Sequence, residues 1–123
     1  MIRLYKTPEE IIDAINIAWS NHLYIDGWGL VRYFIEHVEG GRQDIMQEIA
    51  LYFDGDTPVG FMSTGTLYNK QNYMMAFVKD DYRGKGIGKS LVQVLHRPGS
   101  WARLGIESSE KFWEDNNVII DCM

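Results

Sequence analysis

The sequence predicts an α+β fold in a single domain. Two kinds of pattern point there. Apolar residues at i, i+3, i+4 spacing mark helices, and short apolar runs bounded by Gly, Asp and Asn mark strands. Their order is a strand, two helices, and three strands joined by short turns, the last leading through a glycine-rich turn into a helix. A length of 123 residues with 46% hydrophobic content suits one domain with one real core.

Ile2 to Tyr5 is a short apolar run that suits an edge strand. Thr7-Pro8-Glu9-Glu10 then opens a helix, with Thr7 as N-cap, Pro8 at the first helical position and Glu10 closing a capping box. Ile11, Ile12, Ile15, Ala18 and Trp19 carry the helical spacing to about Ser20. Leu30, Val31, Phe34, Ile35 and Val38 predict a second helix over 28–39, ended by Gly40-Gly41. Ile45 to Phe53 and Pro58 to Gly65 read as strands around the turn Asp54-Gly55-Asp56-Thr57. Gly60 marks either a bulge or a close approach to the backbone. Tyr68 to Asn72 is polar and turn-like, and Tyr73 to Lys79 is the next strand. Ile87, Leu91, Val92 and Leu95 share a helical face, and Pro98 breaks the segment that follows. Trp101 to Glu107 reads as a strand. Ser108 or Ser109 caps a short helix through Asp115, Asn116-Asn117 closes it in left-handed geometry, and Val118 to Cys122 is a last strand. Repeats, linkers and low-complexity stretches are not evident.

The stretch VKDDYRGKGIGKSLVQVL, from Val78 to Leu95, carries the chemistry. The first N–H groups of a helix have no partner within it and sit at the positive end of its dipole. Gly84, Gly86 and Gly88 leave room for a bulky anion beside the main chain, and Arg83, Lys85 and Lys89 add positive charge. The pattern describes a diphosphate site built mostly of backbone. A dinucleotide fingerprint fails, because its third glycine falls on Lys89 or Leu91. A Walker loop fails too, because its first glycine falls on Arg83.

The match is to R/Q-x-x-G-x-G, written here as Arg83, Gly84, Lys85, Gly86, Ile87, Gly88. With the flanking strand and helix, about twenty residues in all, it resembles the acetyl-CoA signature of the GNAT superfamily of N-acetyltransferases. The FWEDNNVI segment resembles that family's F-Y-E-x-x-G-F stretch. The departures are Asp80 where many members have proline, Trp113 where they have tyrosine, and Asn72 where some place a glutamate base. The resemblance implies a three-layer fold with a central mixed, mostly antiparallel sheet flanked by helices. It implies that the pantetheine arm of acetyl-CoA pairs with backbone groups of Phe77, Val78 and Lys79. The diphosphate would rest on Gly84, Lys85, Gly86, Ile87, Gly88 and Lys89, with Ser90 adding a hydroxyl and Arg83 and Lys85 screening charge. Lys85 as a plain solvated side chain stands beside that role. The oxyanion of the tetrahedral intermediate would meet the N–H of Val78 or a neighbour.

Amine acetylation also needs a base for the ammonium and an acid for the leaving thiolate. Trp113 is far too weak an acid for the second. Glu48 is the remaining carboxylate candidate for the first, against a surface strand role. Tyr73 adjoins the Asn72 position but fits the opposite face as well. Ser63, Thr64, Ser108 and Ser109 fit strand or cap roles as readily as proton transfer, and His22 and His37 fit exposed helical positions as readily as proton shuttling. His, Cys and carboxylate residues do not fall at metal-ligand spacing, so no metal is expected.

A net charge of −5 argues against a nucleic-acid partner and mildly favours a cationic acceptor such as an amine. The lone cysteine, Cys122, cannot form an internal disulfide. Neither a signal peptide nor a membrane span is expected, so no membrane partner is expected and the cytoplasm is the default compartment. Many members of the family continue into one more strand. A sheet without it leaves an edge that a second copy can cover, making a homodimer. Trp19, Trp28 and Trp113 add contact surface to that reading or, more commonly, pack in a core. The expected function is acetyl-CoA-dependent transfer of an acetyl group to a primary amine of a small molecule or protein. A catalytically weak module that binds CoA or a protein partner is the alternative.

Overall fold

The computed structural model describes residues 1–23, 46–67, 69–103 and 110–121. Among the described residues six strands lie side by side in chain order: β1 (Ile2–Tyr5), β2 (Glu48–Asp54), β3 (Thr57–Leu67), β4 (Lys70–Val78), β5 (Trp101–Arg103) and β6 (Ile119–Asp121). The first four pair antiparallel, and β4–β5 and β5–β6 pair parallel. The described helices are α1 (Pro8–Ser20), α2 (Ile87–Leu95) and α3 (Glu110–Asp115). The predicted helix over 28–39, Gly40-Gly41, and the residues Trp28, His37, Ser108, Ser109 and Cys122 lie outside the described residues.

Local chemistry explains the element ends. Thr7 accepts from the Glu10 N–H at 3.2 Å while the Glu10 carboxylate accepts from the Thr7 N–H at 3.0 Å, so the capping box forms as expected. Gly55, at φ 63, turns the β2–β3 hairpin. A register shift there leaves Val59 as an extra residue between Pro58 and Gly60, so Val59 and Met62 share a face three residues apart. Both readings of Gly60 hold, since a Cβ there would lie 3.3 Å from the Phe77 carbonyl oxygen.

β4 starts at Lys70, earlier than the turn-like residues suggested. A second shift sets Gln71 and Asn72 opposite Thr66, with Asn72 at φ 55, a conformation asparagine tolerates. Pairing outvotes the local turn signal. Asn117, at φ 60, closes α3 as expected.

The sheet is the middle of three layers. On one face Ile11, Ala14, Ile15 and Ala18 of α1 pack on Ile49, Leu51, Phe53 and Phe61. On the other, Ile87, Leu91, Val92 and Leu95 of α2 pack on Ala50, Val59, Met62 and Met74, joined by Trp113 and Val118. The small side chain of Ala50 lets α2 sit close to the sheet.

Candidate functional site

Among the described residues, the pairing of β4 with β5 covers only the first part of β4. Tyr73 pairs with Trp101 and Met74 with Ala102. Arg103 pairs outward with Asp121 rather than inward with Met75. Among the described residues β4 therefore has no β5 partner from Met75 to Val78.

Strand alternation decides which backbone groups face that opening. The Lys79 N–H donates to the Val59 carbonyl at 2.9 Å, toward β3. Phe77, two residues earlier, faces β3 as well and pairs with Phe61. Of the three expected arm-binding residues, only Val78 presents its N–H and C=O to the opening. Ala76, which the sequence reading passed over, joins it by the same period of two.

The glycine turn follows at once. A 3₁₀ turn, Asp80–Tyr82, folds the chain back, and Gly84 and Gly86 take φ of 78 and 81. Gly86 is the N-cap of α2, and open space surrounds the Cβ positions of both glycines. Their left-handed backbone is what glycine supplies cheaply. The N–H groups of the first turn that follows have no partner within the helix, which is what an anion at a helix start uses.

Gly88 has a packing role that its place in the turn did not suggest. A Cβ there would lie 2.9 Å from the Phe112 ring, so this glycine lets α2 and α3 touch. The Ile87 side chain points into the core at 6% exposure, leaving only its backbone for binding. The Ser90 N–H and hydroxyl both donate to the Gly86 carbonyl at 3.0 Å, so the hydroxyl is turned inward. Lys85 lies over the Tyr82 ring, 5.2 Å from its centroid, and Lys89 is exposed. The Arg83 side chain reaches back to β4, donating from Nε to the Val78 carbonyl at 2.9 Å and pairing with Asp80 at 2.6 Å. Tyr82 donates its hydroxyl to Asp54 at 2.7 Å, which clamps the turn to the β2–β3 hairpin and holds the phenol above its usual pKa range. Twenty-eight residues separate that pair, and no local pattern could have found it.

Glu48 is not brought to this site. Its row runs Glu48–Thr64–Met74, four residues along β4 from Val78, about 13 Å at strand spacing. Its carboxylate pairs with Arg97 at 3.2 Å and Lys6 at 3.5 Å, and Arg97 also caps the end of α2 through the Leu95 and His96 carbonyls. Trp113 is a core residue at 5% exposure. Tyr73 is buried on the α1 face with Met75 and Phe77, and Asn72 sits in its bulge. Ser63 and Thr64 are buried in β3, and Thr64 Oγ1 has no hydrogen-bond partner among the described residues. His22 lies exposed just past α1.

A family model described as an acetyltransferase (GNAT) domain matches residues 46–119. That interval contains both the open edge of β4 and the glycine turn. No curated protein sequence matches significantly. Among solved structures, a GNAT-family acetyltransferase from Staphylococcus aureus Mu50 is similar at 20% identity. It covers 94% of this chain and 83% of its own, with a TM-score of 0.57. The aminoglycoside N-acetyltransferase AAC(6')-Iy, solved in complex with CoA, is 12% identical over 100% of this chain and 78% of its own, with a TM-score of 0.51. A Streptococcus mutans UA159 protein is 17% identical over 76% of this chain at a TM-score of 0.49, and this chain spans 62% of its length. The mixed sheet of six described strands, with helices on both faces, matches the fold of the Staphylococcus aureus acetyltransferase.

Proposed function

Because the chain belongs to the GNAT acetyltransferase family, whose reaction is acetyl transfer, we propose that it is an acetyl-CoA-dependent N-acetyltransferase acting on a primary amine. One observation carries the reading. The left-handed pair Gly84 and Gly86, at the start of α2, lies directly beyond the strand edge where, among the described residues, Val78 and Ala76 have no β5 partner. A ligand with an anionic diphosphate and an amide-bearing arm fits both features at once. The N–H groups from Gly84 to Lys89 would take the diphosphate, and the free edge of β4 would take the arm as an added strand.

The neutral amine then attacks the thioester carbonyl, the C–S bond breaks as the tetrahedral intermediate collapses, and the thiolate leaves. The Val78 N–H faces the opening and is the oxyanion donor. Holding both reactants in register supplies much of the rate. The amine loses its proton to solvent or to the acceptor's own surroundings. The test is CoA release from acetyl-CoA with polyamines, free amino acids and lysine peptides, beside thermal shifts with acetyl-CoA, CoA, ATP and NAD. Stabilisation by the two CoA compounds with turnover on at least one amine is expected, and protection by ATP or NAD alone refutes the reading.

Burial of Trp113 where the family places a tyrosine acid favours a second reading, a CoA-binding module with weak chemistry. Binding without turnover on any amine selects it. The net charge of −5 suits a cationic acceptor, and a cytoplasmic setting and a homodimer through the sheet edge complete the proposal. No described helix is long and apolar enough to cross a membrane.

A further inference from the structure

The carbonyl that ends the open edge of β4 already has a donor. Val78 accepts from Arg83 Nε at 2.9 Å. The same guanidinium pairs through Nη1 with Asp80 at 2.6 Å and lies over the Phe77 ring, 5.6 Å from its centroid. The intervening turn makes this reach possible. The Tyr82 N–H donates to the Lys79 carbonyl at 2.9 Å and the Arg83 N–H to that of Asp80 at 3.2 Å, so the chain doubles back on the strand it has just left. Three contacts thus hold one side chain across the strip of β4 that an added strand would use.

We propose that Arg83 is a latch that stands in for the amide of the pantetheine arm and must be withdrawn before the arm can pair with Val78. The inference rests on the CoA reading above. Asp80 sets the strength of the latch. Its carboxylate and the ligand's diphosphate are two anions competing for one guanidinium, and a guanidinium suits either by its forked donors. Opening therefore needs both halves of the ligand, the arm to take the carbonyl and the diphosphate to receive the cation. A nucleotide without the arm leaves the Val78 carbonyl to Arg83, so the latch discriminates thioester carriers from other nucleotides.

The test uses the full chain labelled with nitrogen-15, with CoA and ADP as probes. The Arg83 Nε–H signal, assigned by its loss in Arg83→Lys, should be protected from exchange in the free protein, move on adding CoA, and stay in place with ADP. By calorimetry Asp80→Asn should tighten CoA binding about two- to fivefold, the factor an exposed ion pair supplies. The gain should vanish in the Arg83→Lys background, and Asp81→Asn should not reproduce it. Equal gains from Asp80→Asn with and without Arg83, or from Asp81→Asn, overturn the latch in favour of bulk charge. CoA that binds without moving the Arg83 signal overturns the latch alone, whereas absence of CoA binding overturns the site as well.

Discussion

Gly88→Ala separates the packing glycine of the turn from the two that bend it. The added Cβ would lie 2.9 Å from Phe112 Cε1 and 3.0 Å from Cζ, whereas carbon atoms pack best at about 3.5–4.0 Å. The ring must give way by roughly half an ångström to an ångström. It is braced, because it meets Trp113 edge-on at 4.9 Å between centroids and 75° between planes. Trp113 in turn is buried in the α2-face core. Overpacking of this kind costs about 1–3 kcal/mol. Alanine in place of glycine returns up to about 1 kcal/mol of helix propensity. The net expectation is a loss of about 1 kcal/mol, read as a fall in Tm of roughly 3–6 °C for a domain of this size. Thermal melting measures it, and repeating the change in a Phe112→Leu background isolates its cause. Without the ring edge only the propensity gain remains, so there Gly88→Ala should raise Tm. A Gly88→Ala protein that melts above its parent, or one with the same penalty in both backgrounds, refutes the packing role.

Thr64→Val should stabilise by roughly 1 kcal/mol in denaturant titration, because the buried Oγ1 has no partner among the described residues and loses its hydration on folding. Tyr82→Phe should lower Tm near neutral pH by removing the bond to Asp54. The folded phenol pKa is raised, first by that hydrogen bond, so its stabilising contribution is complete below the unfolded value. It is lost as pH rises through the folded value, and the Tm gap between parent and variant should close above about pH 10. Glu48→Gln should cost about 1 kcal/mol of stability by releasing Lys6 and Arg97 while changing turnover less than about threefold. A loss of turnover of about a hundredfold or more, with an altered pH–rate profile, would instead place Glu48 in the proton path.

The fold was legible where local chemistry and long-range pairing agree. The capping box at Thr7, the hairpin at Gly55 and the apolar face of α2 each follow from residues close together in sequence. The start of β4 was not, because Lys70, Gln71 and Asn72 are poor strand formers held in place by β3. A bulge that accepts left-handed asparagine leaves the same signature as a turn.

The site divides along the same line. A glycine turn before a helix depends on backbone conformation, and backbone conformation is written locally, so Gly84 and Gly86 could be read directly. Gly88 looks identical in sequence, yet its function is set by Phe112, twenty-four positions away. Arg83 looks like a phosphate ligand because its charge is visible, whereas its hold on Val78 depends on a turn that no composition reveals. Glu48 shows the converse. A carboxylate at the start of a strand suggests a base in sequence, and the fold adds a structural partner, Arg97, brought over by the end of α2. Here the side chains most easily taken for chemistry are those with structural partners far along the chain. Among the described residues β4 has no β5 partner beyond Met74, and neither Ala102 nor Met75 carries a side chain that announces it.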